Sequence, residues 1–256
     1  MKAYHKKILK IPVAVTSYQD AGERILAASR EGIGRYVCVA NVHMCMEAFD
    51  DADFCRVVNG ANLVVPDGVP LVWALKALGL AASQVRGSDL LLHVCREAEK
   101  AGQSIGLYGG TEQSLLDFQA FLGRKFPELN ISFASSPPFR ELSVQEKTQY
   151  VEDINNSGCR VLFVGIGCPK QEKWMAEHKD KLACVMIGVG AAFDFFSGRM
   201  KHAPRWMQKI GLEWLFRLAS DPRRLWKRYL KHNPRFIYHF GKQLLQRAIR
   251  QRPGQS

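Results

Sequence analysis

The 256 residues, 47% hydrophobic and 23% charged, have an ordinary globular composition and suffice for one large domain or a domain with an appendage. No segment reaches the roughly 20 apolar residues that a spanning helix needs. The start, MKAYHKKILKIPVAV, has only a short, Pro-interrupted apolar run, so a soluble chain without leader or anchor is expected. The formal charge of +12 is unevenly spread. Residues 199–256 hold 15 of the 36 Lys and Arg but only Glu213 and Asp221 of the 24 acids, a net +13 against −1 for residues 1–198. Such asymmetry predicts an anionic partner for the tail, either lipid headgroups or nucleic acid.

Six short apolar runs read as strands: Tyr36–Ala40, Asn62–Pro66, Ser104–Tyr108, Ile131–Ala134, Arg160–Val164 and Ala183–Ile187. Each is separated from the next by enough chain for a helix, which predicts an α/β fold. The expected form is a mainly parallel sheet with helices on both faces, over residues 1–198. Ligands of such sheets bind beyond the carboxyl ends of the strands. The post-strand turns are Asn41-Val42-His43, Asp67-Gly68-Val69-Pro70, Gly109-Gly110-Thr111, Gly165-Ile166-Gly167-Cys168-Pro169-Lys170 and Gly188-Val189-Gly190. Any one glycine there is explained by a tight turn, but several at one sheet edge also suit close approach of backbone to a ligand.

Residues 199–256 read as helices only. Asp221-Pro222 and Asn233-Pro234 each place a capping side chain before a proline, so two helices are expected to begin there. In the first, Leu225, Trp226, Tyr229 and Leu230 share a face with Arg223, Arg224, Lys227, Arg228 and Lys231 around it. In the second, Phe236, Phe240 and Leu244 form one row, with Ile237, Leu245 and Ile249 beside it. This pattern fits a helix in a membrane interface. A helix docked on the domain with a solvated basic face fits it equally well.

The Gly165 turn leads into Gln171-Glu172-Lys173-Trp174, a helix start whose amides, with Lys170, would cradle a diphosphate. Lys170 occupies the place of the third glycine in a dinucleotide fingerprint, and the Walker spacing is absent. Asp67 stands at a strand end, where it could take a proton from an attacking hydroxyl, although position alone favours an Asx-turn or cap role. Asp89 reads as a cap. Asp194, set among Ala191, Ala192, Phe193, Phe195 and Phe196, is either a buried acceptor or a substrate ligand. Asp51-Ala52-Asp53 is the nearest approach to a metal-holding Asp-x-Asp and lies in a polar helical stretch, so it reads as surface. No metal or other cofactor is expected. Leaving-group charge would fall to amides and to Arg199, Arg205, Arg217, Arg223 and Arg224. The seven cysteines show neither C-x-x-C pairs nor zinc spacing and predict free thiols in a reducing compartment. Cys168, in its Gly/Pro loop, would be a nucleophile only with a histidine partner.

These segments together resemble the WecG/TagA/CpsF glycosyltransferase family. The likeness rests on Asn41-Val42-His43-Met44 with Glu47-Ala48, Pro66-Asp67-Gly68, Gly87-Ser88-Asp89-Leu90, Gly109-Gly110, Val164 to Glu172, Gly188 to Gly198, Ala203-Pro204-Arg205-Trp206 and Gly211 to Leu218. It covers roughly residues 8–230. The resemblance implies an inverting, metal-independent transferase that moves a sugar from a UDP-linked donor to a polyprenyl-diphosphate-linked saccharide. The sugar would be of N-acetylmannosamine type, its uronate, or glucose. It further implies an α/β, Rossmann-like catalytic sheet over residues 1–198 and a cytoplasmic, peripheral enzyme whose residues 199–256 contact the membrane and complete the active site. Asp67 would be the base, Asn41 and Gln171 substrate contacts, and Arg217 with Arg224 would reach the diphosphate. From the post-strand turns, Gly109, Gly110, Gly165, Gly167, Lys170, Gly190 and Asp194 are the further candidate substrate-binding residues. Val39 stands where many relatives have threonine and Gln84 where some have arginine. A Rossmann oxidoreductase or epimerase, a basic-tailed nucleic-acid binder and an inactive scaffold are the rival readings, and homo-oligomerisation is left open. Lipid is favoured over nucleic acid by the apolar rows beside the charges.

Overall fold

The computed structural model describes residues 3–196, 198 and 203–250, without the side chains of Arg205, Lys209 and Arg224. Arg199 lies outside the described residues. The chain begins with an antiparallel hairpin, β1 (His5–Ile8) and β2 (Ile11–Ala14), turned at Leu9 with a φ of 54°. The sequence did not disclose it, because His5, Lys6 and Lys7 leave β1 a single buried residue, Ile8. Then follow α1 (Tyr18–Ser29), β3 (Arg35–Ala40), α2 (Val42–Asp50), α3 (Ala52–Asn59), β4 (Leu63–Pro66), α4 (Val69–Ala77) and α5 (Gly87–Lys100). The second half continues with β5 (Ile105–Gly109), α6 (Glu112–Lys125), β6 (Ile131–Ser135), α7 (Val144–Asn156), β7 (Val161–Gly165), α8 (Lys170–His178) and β8 (Val185–Gly188). Four helices close the description: α9 (Ala192–Phe196), α10 (Arg205–Lys209), α11 (Glu213–Ser220) and α12 (Pro222–Arg250).

β3 to β8 form one parallel sheet in the order β4-β3-β8-β7-β5-β6, with every expected strand present within two residues of its predicted bounds. Parallel pairing puts all carboxyl ends on one edge. The register levels them, with Ala40 opposite Pro66, Val164 opposite Gly188 and Gly109 opposite Gly165. Side-chain alternation along the strands then builds two cores. Val37 and Val39 of β3 face the core of α1, α5 and α6, with Leu90, Val94 and Phe118. Tyr36, Cys38 and Ala40 face the other, with Met44, Phe54 and Met175. All seven cysteines are free, and five of them are buried in these cores.

Phe236 and Phe240 of α12 belong to the second core, so the last long helix packs on the sheet face that carries α2. The helix start at Pro222 is observed, with the Leu225 N–H donating to the Asp221 carbonyl at 3.2 Å. The second start, at Pro234, is not: α12 runs through it unbroken. A proline inside a helix deletes one hydrogen bond and costs about 3 kcal/mol. Contacts on either side hold this helix together, namely buried His232, Phe236 and Phe240 and the Arg235 guanidinium on both Asp50 oxygens at 2.6 and 2.8 Å. Tertiary packing here outweighs the local stop signal. Phe236→Ala should therefore lower the unfolding free energy in urea by about 3 kcal/mol, whereas a loss below about 1 kcal/mol, the size of a surface change, would place that side chain outside the core.

Candidate active site

At the carboxyl edge, β3 and β4 deliver Asn41 and Asp67 side by side. Asn41 caps α2, its side-chain oxygen accepting from the Met44 N–H at 3.2 Å, and its Cα and Cβ lie against Gly68. The Asp67 N–H donates to the Ala40 carbonyl at 2.8 Å, and Asp67 Oδ1 accepts from the Gly87 N–H at 3.0 Å. Gln84 donates to the Asp67 carbonyl. Gly87 is the first residue of α5, so Asp67 caps that helix from across the chain instead of turning back on its own Asp-Gly turn. This corrects the reading of Asp89 as the cap. Asp89 lies in the first turn of α5, within 3.3 Å of the Tyr18 hydroxyl that donates to it.

Burial, and after it the negative charge of Glu213, raises the Asp67 carboxyl to a pKa of about 6. The Gly87 N–H and the charges of Arg217 and Arg86 pull the other way. Among the described residues none donates a hydrogen bond to Asp67 Oδ2. A carboxylate poised near neutrality at the ligand edge of a parallel sheet is suited to accept a proton.

Glu213 opens α11 and is the centre of the surrounding charge cluster. Its carboxylate lies 3.4 Å from Arg86 and 3.5 Å from Arg217. Arg86, buried, also hydrogen-bonds Gln208 and lies 3.4 Å from Asp89, while its N–H donates to the Tyr18 oxygen at 3.0 Å. The Arg217 guanidinium stacks over the Phe195 ring at 4.7 Å, a cation–π contact that orients it at the sheet edge. The Arg217 expected from the sequence is thus brought to Asp67. Arg224 lies on α12, with its side chain outside the description.

Each glycine turn has a distinct reason. A Cβ on Gly109 would stand 2.6 Å from the Gly165 backbone, and one on Gly165 would stand 2.7 Å from the Phe193 ring. The Gly110 N–H donates to the Gly165 carbonyl at 3.1 Å, so these three residues interlock the ends of β5 and β7. Gly167 and Gly190 adopt φ of 84° and 58° and face open space. Their amides are not open: Gln171 Oε1 accepts from both, at 3.2 and 3.0 Å, while its Nε2 donates to Glu172 at 2.7 Å. Those two amides are therefore satisfied by a buried side chain, and Gln171 acts as a strut between the turns after β7 and β8. Lys170 begins α8 and is exposed; Asp194 lies half-buried in α9. The Cys168 thiol is pushed up by burial and by Glu172, which keeps it protonated and removes it as a nucleophile.

A family model of the Glycosyl transferase WecG/TagA/CpsF family matches residues 6–250. The chain belongs to that family. It is also similar, at 30% identity over 200 residues (77% of this chain and 76% of the relative), to an N-acetylglucosaminyldiphosphoundecaprenol N-acetyl-beta-D-mannosaminyltransferase of Bacillus subtilis (strain 168). A protein of the same description from Bacillus spizizenii is 27% identical over 199 residues, 77% of this chain and 75% of the relative. The protein is accordingly a glycosyltransferase, which sets the oxidoreductase reading aside.

Arg86, Glu213, Gln208 and Tyr18 escaped the sequence reading of this transferase's site. Glu213 alone left a trace, as one of two acids in a segment of net charge +13. Its effect on Asp67 can be read in the pH profile. Activity that needs the Asp67 carboxylate should fall as pH drops through about 6. Glu213→Gln removes a repelling charge and should move that acidic limb of kcat/KM to lower pH; an unmoved limb would detach Glu213 from Asp67.

Proposed function

We propose that the protein transfers a sugar of the N-acetylmannosamine type from a UDP-linked donor, with inversion, to a polyprenyl-diphosphate-linked saccharide. The observation that carries this is Asp67, a carboxyl with a pKa of about 6 at the sheet edge, facing Arg217 and Arg86. The names of the two Bacillus relatives supply the substrate class. Asp67 Oδ2 accepts the proton of the acceptor hydroxyl as that oxygen attacks the anomeric carbon from the side opposite the nucleotide. Arg217, with Arg224 from α12, meets the charge that builds on the departing diphosphate. Asn41 and the open faces of Gly167 and Gly190 line the donor side, and Gln171 keeps the two glycine turns in place.

The same proposal assigns residues 199–256 as a basic appendage that brings the enzyme to the inner face of the membrane. No helix among the described residues is long and apolar enough to cross a membrane. α12 nevertheless leaves Trp226, Leu230, Ile237, Leu245 and Ile249 between 46% and 72% exposed, interleaved with Lys227, Lys231 and Lys242. An apolar row flanked by cations is the pattern of a helix seated at a lipid interface.

Incubation with a panel of UDP-sugars and polyprenyl-diphosphate saccharides should show turnover with an N-acetylmannosamine donor, and Asp67→Asn should lower kcat at least about 100-fold, the lower range for a general base. Normal turnover by Asp67→Asn would discard the base assignment. Trp226→Glu with Leu230→Glu should abolish co-sedimentation with anionic liposomes; undiminished sedimentation of that double variant would remove α12 from the interface.

A further inference from the structure

One convergent group of side chains takes no part in the site described above. His43 and Glu47 stand one turn apart on α2, and His232 reaches them from α12. Glu47 Oε1 lies 3.7 Å from His43 Nδ1 and 3.3 Å from His232 Nε2, and one ligand atom from each residue lies within 4.8 Å of the others. The ring centroids of the two histidines are 5.1 Å apart. The buried Nδ1 of His43, the atom that faces Glu47, has no hydrogen-bond partner. Buried polar atoms are seldom left so, and such atoms call for an explanation.

We propose that His43, Glu47 and His232 bind one divalent transition-metal ion of the zinc class, which staples α12 to α2. Two imidazoles and one carboxylate form a ligand set for zinc with a fourth position left to water. Bonds of about 2.0–2.1 Å in tetrahedral array place ligand atoms about 3.4 Å apart. Two of the three separations need only a few tenths of an ångström to reach that value. Arg228 and Lys231 oppose the ion's charge and weaken its hold. The ligands come from two helices 185 residues apart in the sequence, which makes ion binding a term in the docking of α12.

The full-length protein, stripped with a chelator, is titrated with Co²⁺ and then Zn²⁺. The expected result is one Co²⁺ per chain with the visible absorption of a tetrahedral nitrogen and oxygen site, no thiolate charge-transfer bands, and displacement by Zn²⁺ with a rise of several degrees in Tm. His232→Ala and Glu47→Gln should each lose the spectrum and the Tm rise; Glu47 lies closer to the surface, so its variant decides the matter if His232→Ala fails to fold. Thiolate bands, no uptake by the folded wild type, or equal uptake and Tm rise in wild type and Glu47→Gln would each overturn the site. None of these readouts depends on sugar transfer, so the proposed function stands or falls separately.

Discussion

Asp67 on the sheet and Glu213 on α11 put two negative charges into the seam where the C-terminal helices meet the ligand edge, and Arg86 and Arg217 make that pairing tolerable. Remove the cations and the repulsion between partly buried carboxylates would force one to take up a proton. Keep them, and Asp67 sits near pH 6 instead of in the ordinary carboxylate range. Burial does most of this and Glu213 adds to it, while the Gly87 N–H keeps the carboxyl from drifting further. The seam is therefore more than a packing surface. It sets the protonation state of the proposed base, so the C-terminal helices act on Asp67 through space without touching it.

The second constraint is backbone proximity. Gly109, Gly110 and Gly165 let adjacent strand ends meet at distances that no side chain would allow, and Phe193 fills the space above them. Gln171 then ties the next pair of turns by accepting from both Gly167 and Gly190. A diphosphate at this edge would meet a surface whose shape is fixed in advance, because those amides are satisfied before any ligand arrives. Preorganisation of that kind lowers what a ligand must order on binding. It also moves the burden of anion recognition from the turns to guanidinium groups.

The sheet was legible because buried parallel strands are short, apolar and separated by helical lengths of chain; Asp67 follows one of them, and the capping role that its position suggested is the one its Oδ1 plays at Gly87. The hairpin β1–β2 was not, since a strand with His5, Lys6 and Lys7 exposes most of its length. Asn233-Pro234 misled because a cap and a proline are local signals, and α12 continues past them on contacts with residues about 190 positions earlier. Arg86 and Glu213 were hidden for the same reason: 127 positions separate them, and only the fold brings them within 3.4 Å. Gln171 was named as a substrate contact only through the family resemblance, and its hydrogen bonds to Gly167 and Gly190 have no sequence signature. What sequence pattern conveys is burial and period; what it omits is which polar groups find each other.

α12 shows why docked helix and membrane helix were hard to tell apart. Its periodicity carries two apolar rows, and each reading explains one of them. Phe236, Phe240 and Leu225 form the buried row, supported by Gln243 bonds to Leu9 and Lys7 and by Arg247 on the Leu78 carbonyl. The exposed Arg235–Asp50 pair adds at most about 1 kcal/mol, whereas one buried phenylalanine is worth about 3 kcal/mol or more, so the aromatic row fixes the helix. The other row, from Trp226 to Ile249, remains outside and carries most of the cations. A helix clamped on one side and lipid-suited on the other would hold the catalytic edge at a constant attitude to any surface it meets. On the proposed function, an acceptor anchored in the bilayer would meet a site whose proposed base, leaving-group cations and membrane contact all belong to one continuous seam from Asp67 through Glu213 to α12.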